Sequence, residues 1–123
     1  MHTALKTVVT AASTILLTGV LVVTPGISKA DGASALKEGK QLAFDRKKGN
    51  CLACHMIEGG ELPGNIGPPL IAMKARFPDK KTLRDQIYDA RIKNPNTIMI
   101  PFGPHGVMSD EEIDKVTDYI YTL

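Results

Sequence analysis

Cys51, Leu52, Ala53, Cys54 and His55 form C-x-x-C-H, the sequence to which a c-type haem is attached. The two thiols can add across the haem vinyl groups as thioethers, and the adjacent His can place an imidazole nitrogen on the iron. The same spacing also suits a thioredoxin-like pair, a structural disulfide or part of a zinc site. A redox pair needs a neighbouring βαβ pattern, which this chain lacks. Zinc needs more ligands, and there is no third Cys and only His2 and His105 besides His55. The expectation is one haem c, bound covalently through Cys51 and Cys54 with His55 on the metal.

A second axial ligand must come from elsewhere, and four methionines beyond the N-terminal segment compete. Met56 adjoins His55 and would have to reach round to the opposite face of the ring. Met73 falls on a short apolar stretch, where a thioether fills gaps beside Leu70 and Phe77. Met108 precedes Ser109, with Ile113 placed for a hydrophobic staple. Met99 lies in Asn94-Pro95-Asn96-Thr97-Ile98-Met99-Ile100-Pro101-Phe102-Gly103, a proline-held loop that can be stiff without regular structure. Met99 is therefore the expected sixth ligand. A metal-bound His normally donates its other ring nitrogen to a fixed acceptor, and Gly67-Pro68-Pro69-Leu70 offers a rigid carbonyl at Pro68. Without the haem motif that turn would read as loop punctuation.

The elements that must position these groups read as all-α. Ala33 to about Lys48 is amphipathic and stops at Gly49, with Gly39 costly inside a helix unless something approaches closely. Leu70 to Phe77 can form a short helix ending before Pro78. Asp79 caps a segment carrying Leu83, Ile87 and Ala90 that runs to near Asn94-Pro95. Ser109-Asp110-Glu111-Glu112 is a capping box opening a helix with Ile113, Val116, Ile120 and Leu123 at helical spacing.

The N-terminus reads as a secretory leader. Lys6, an apolar run from Val8 to Val23 and the small-x-small sequence Ser28-Lys29-Ala30 predict a signal peptide over 1–30, with 31–123 as one small domain. An uncleaved anchor is the competing reading, against which the run is short and broken by Ser, Thr and Gly. The predicted location is the periplasm, with no membrane span after cleavage. Two of the 15 basic residues, Lys6 and Lys29, lie in the leader, leaving 13 against 13 acidic ones. Such a neutral chain gives no nucleic-acid signal. The Arg46-Lys47-Lys48 cluster reads as a solvated helix end, with a docking patch as the alternative.

Gly49-Asn50-Cys51-Leu52-Ala53-Cys54-His55, Gly64-Asn65-Ile66-Gly67-Pro68-Pro69-Leu70 and Asn94 to Met99 with Pro101-Phe102-Gly103 resemble SoxX, the small monohaem subunit of the SoxAX cytochrome. The resemblance covers nearly all of 31–123 and implies a class I cytochrome c fold with His55 and Met99 as axial ligands. In that family the complex is an L-cysteine S-thiosulfotransferase, joining thiosulfate to a cysteine of the SoxYZ carrier. The resemblance thus implies a SoxA-like dihaem or monohaem partner, SoxYZ as substrate of the complex, and a downstream electron acceptor. This chain departs from the family loop, commonly Met-Pro-Pro-Phe, by having Ile100 after Met99, and by Pro104 and Met108. His105 is assigned no role. No free thiol or His–carboxylate cluster is available for catalysis, so the chain alone reads as an electron carrier. A free periplasmic electron shuttle is the alternative.

Overall fold

The computed structural model describes residues 29–123, with side chains from residue 32 onward. The expected leader therefore lies, but for Lys29 and Ala30, outside the described residues. Four helices follow in chain order: α1 (Lys29–Phe44), α2 (Met73–Arg76), α3 (Lys80–Tyr88) and α4 (Asp110–Ile120). Short 3-10 turns form at Cys51–Ala53 and Ala90–Ile92. There is no β-strand among the described residues, and no helix among them is long and apolar enough to cross a membrane.

The crossing of α1 and α4 is the most extensive helix contact. Gly39 makes it possible, because a Cβ there would collide with the carbonyl of Lys115 on α4. Beside the crossing, the rings of Phe44 and Tyr119 meet edge to face with centroids 6.2 Å apart. Lys115 reaches Glu38 at 2.9 Å, lacing the helices at the surface. Below them Ala43, Met73, Leu83, Ile87, Phe102, Met108, Ile113, Val116 and Ile120 form one buried core. Met108 and Ile113, both buried, flank the Ser109 cap as a hydrophobic staple requires. The capping box itself is complete: Ser109 Oγ accepts from the Glu112 amide, and the Glu112 carboxylate accepts from the Ser109 amide.

α1 begins at Lys29, four residues before the expected Ala33, and three further helix ends differ from the sequence reading because other polar groups compete with the helix. α1 stops at Phe44, since the Asp45 carboxylate accepts from the Lys47 amide (2.8 Å) and the Asp45 carbonyl accepts from Lys48 and Asn50. Arg46, Lys47 and Lys48 thus lie in turns after the helix and not in its last turn. Leu70, Ile71 and Ala72 stay outside α2, because the Leu70 amide is committed to the Met56 carbonyl and Ala72 turns the chain at φ 50°. α3 ends at Tyr88 because Asp89 is extended and caps the next turn, accepting from the Arg91 amide at 3.1 Å.

Lys48 and Glu112 tie the turn after α1 to the start of α4, at 2.8 Å. The Lys48 ammonium, and then the Ser109 amide, hold the Glu112 carboxyl below its usual value of 4.5. A carboxyl lowered by folding contributes stability that is present above its unfolded pKa and lost as pH falls through the folded one. Glu112→Gln should lower the melting temperature of the holoprotein by about 3 °C at pH 7. The gap should close below about pH 4. Gly39→Ala should cost about 2 kcal/mol in thermal unfolding through the clash, despite a helix preference for Ala of about 1 kcal/mol. Gly32→Ala, where nothing lies within 4 Å, should be neutral or slightly stabilising.

Candidate functional site

Where α1 ends, the Gly49 amide bonds to the Leu42 carbonyl at 3.0 Å and Asn50 reverses the chain at φ 45°. Asn adopts this left-handed geometry more readily than most residues. The Cys51–Ala53 turn follows at once, with the amides of Cys54 and His55 bonding back to the Cys51 carbonyl at 3.2 and 2.8 Å. Two thiols and an imidazole therefore leave one compact turn. Both cysteines are free and partly buried. Burial, reinforced by the neighbouring Cys54, pushes the Cys51 thiol up to about 11, so it stays protonated at neutral pH.

The segment 64–70 runs alongside this turn. The amides of Gly64, Gly67 and Leu70 donate to the carbonyls of Leu52, Cys54 and Met56 at 2.7, 2.8 and 2.9 Å. Pro68 is thereby brought to His55, whose Nδ1 lies 2.7 Å from the Pro68 carbonyl. A carbonyl only accepts, so Nδ1 carries the proton and the Nε2 lone pair is left for another partner. That is the tautomer a metal-bound imidazole needs. The ring rests directly on Gly67, where a Cβ would come within 2.6 Å of Nδ1. Arg76, from α2, donates to the Pro69 carbonyl at 2.7 Å and so pins the residue next to the His55 acceptor.

The methionines separate by environment. Met73 and Met108 are buried in the core, at 1% and 2% exposure, while Met56 is 56% exposed. Met99 packs partly buried against the core on the 94–103 loop, its amide donating to Thr97 Oγ1 at 3.2 Å. His105 is exposed, its amide bonded to the Pro101 carbonyl. Among the described residues no three His, Cys, Asp or Glu side chains gather as they would around a zinc ion. The donor set fits a c-type haem: Cys51 and Cys54 would hold it covalently, His55 would face the iron through Nε2, and Met99 is the methionine neither buried within the core nor adjacent to His55.

Residues 34–120 match the family model described as cytochrome c oxidase, cbb3-type, subunit III. The chain belongs to this cytochrome family. The crystal structure of SoxXA from P. pantotrophus matches with a TM-score of 0.63 and 26% identity, covering 70% of this chain and 79% of that one. Cytochrome c-552 of Nitrosomonas europaea is 31% identical over 80 residues, 63% of this chain and 73% of the relative. An uncharacterized lipoprotein of Aquifex aeolicus is 32% identical over 98 residues, 76% of this chain and 48% of the relative. The chain thus spans about half the length of that lipoprotein. It is a SoxX-like monohaem cytochrome with a small helical class I cytochrome c-like domain.

In this cytochrome the sequence motif located the imidazole and an acceptor for it, but not the packing that fixes the ring. The Gly67 contact and the Arg76 bond were missed. A glycine directly before the acceptor proline is the one local signal for the first; nothing in the sequence pairs Arg76 with Pro69. Replacing Gly67 by Ala should displace the imidazole from the Pro68 carbonyl. NMR of the holocytochrome should then show the His55 Nδ1 proton exchanging with solvent at least roughly tenfold faster than in the parent protein.

Proposed function

We infer that this cytochrome is the electron-accepting subunit of a periplasmic thiosulfate-oxidising complex, with the haem anchored at Cys51 and Cys54 and ligated by His55 and Met99. The observation that carries a partnered role is the rim of the site. Residues 62–73 and 94–104, which include Pro68 and Met99, contain no Asp, Glu, Lys or Arg. They expose Leu62, Ile66, Ile71, Ile98 and Ile100 instead. Large apolar side chains exposed on both segments are the kind of surface that another protein covers. The SoxXA likeness supports a SoxA-like haem protein in that place.

The chemistry divides accordingly. Joining thiosulfate to a carrier cysteine forms one S–S bond, releases the thiol proton and frees two electrons. Both thiols of this chain are committed to the haem, so the bond must form on the partner. The haem, when bound, accepts electrons one at a time. Two-electron oxidation then needs two passes or a second acceptor in the partner. The protein's own part is to hold the imidazole in one tautomer through Pro68 and to set the ring against Gly67. The transfer of this activity to SoxYZ as carrier, and export under a leader over 1–30, belong to the same reading.

Co-expression with a larger SoxA-like cytochrome followed by gel filtration tests it. One haem per chain, resistant to acid-acetone extraction, should co-elute with the partner, and the complex should persist in 1 M NaCl, where charge pairs are screened within about 3 Å. Thiosulfate- and carrier-dependent reduction of the haem should require the partner. A chain that stays monomeric beside the partner, and is reduced equally well without it, is a free shuttle instead.

A further inference from the structure

We propose that Tyr88 is the positioning residue that keeps Met99 on the iron, by clamping the far end of the Met99 loop against α3. This rests on Met99 being the sixth ligand. The loop hangs from two carbonyls, one in the 3-10 turn after α3 and one at the end of α3: the Asn94 amide donates to Ala90 at 3.0 Å, and the Gly103 amide donates to Tyr88 at 3.1 Å. Between those points the amides of Asn96, Thr97 and Met99 bond only within the loop, to Asn94 and Thr97, while Pro95 and Pro101 have no amide proton. Besides its two ends, the loop is held through the Pro101 carbonyl, which accepts from His105, the Phe102 carbonyl, which accepts from Val107 and Met108, and its packing against the core.

The Tyr88 ring lies flat in the space a side chain at Gly103 would take. A Cβ on Gly103 would fall among the Cδ2, Cε2 and Cζ atoms of that ring. The ring is also held by Arg84, whose guanidinium carbon lies over it, 5.6 Å from its centroid. Arg84 in turn is fixed by two carboxylates of α4, Asp110 at 2.7 Å and Asp114 at 2.5 Å. A chain of contacts therefore runs from the first turns of α4 through Arg84 and Tyr88 to Gly103, four residues beyond Met99. Carbon atoms make the Tyr88 contact to Gly103, so the ring and not the hydroxyl does the holding.

Imidazole binding to the ferric holocytochrome reads this clamp directly. An added ligand binds only while Met99 is off the iron, so its apparent affinity rises with the fraction of protein in that state. Met99→Ala sets the ceiling. Against it, Arg84→Gln should bind imidazole roughly two- to fivefold more tightly than the parent protein, and Tyr88→Ala roughly tenfold or more. Tyr88→Phe should bind as the parent does. Far-UV melting of each variant separates this from global loss of structure, and Arg84→Gln, a surface change, keeps the test open should Tyr88→Ala fold poorly. Parent-like imidazole affinity in both Tyr88→Ala and Arg84→Gln, or in Arg84→Gln alone where Tyr88→Ala does not fold, would overturn the proposal. An unchanged affinity in Met99→Ala would instead remove the ligand assignment on which it rests.

Discussion

At Gly39 two helices come together with no side chain between them, and the rest of the molecule is arranged around that approach. A small domain has little apolar material to bury, and here only three Phe, three Tyr and no Trp are available. Bringing α1 and α4 into backbone contact sets Phe44 edge to face with Tyr119 and closes the core over Ile113 and Val116. It also places the end of α1, which the Asp45 turn terminates, against the core. The turn that carries Cys51, Cys54 and His55 starts seven residues after Phe44, so the position of the site follows from the crossing.

The site is built by backbone more than by side chains. His55 gets its tautomer from a carbonyl, its ring plane from a glycine, and its neighbouring strand of loop from three amide bonds to residues 52–56. Prolines at 68 and 69 stiffen the acceptor without themselves needing amide partners. Backbone-built sites resist being loosened by surface substitutions, which suits an imidazole whose orientation sets its bond to a metal.

How far the sequence could be read depended on how local each determinant is. Ser109 and Glu112 are three residues apart and cap each other, so the start of α4 was legible in full. The ends of α1 and α3 were not, because Asp45 and Asp89 each divert the backbone into a turn that helical periodicity does not register. The same division holds at the site. C-x-x-C-H is a contiguous signal, and a Gly-Pro-Pro sequence advertises a fixed carbonyl. Arg76 on the Pro69 carbonyl, and Tyr88 lying on Gly103, join residues that only the folded chain brings together, and no spacing rule encodes them.

The lack of formal charge within 62–73 and 94–104 has a kinetic side. Oppositely charged faces draw redox proteins together and orient them before contact, raising encounter rates well above the roughly 10⁵–10⁶ M⁻¹s⁻¹ of unsteered docking. With no formal charge of their own, residues 62–73 and 94–104 add nothing to that attraction. Each chance collision must then find its own orientation. For a carrier that meets a new partner with every electron, slow encounter would limit the flow; for a subunit that docks once and stays, it costs almost nothing, because the search is made a single time.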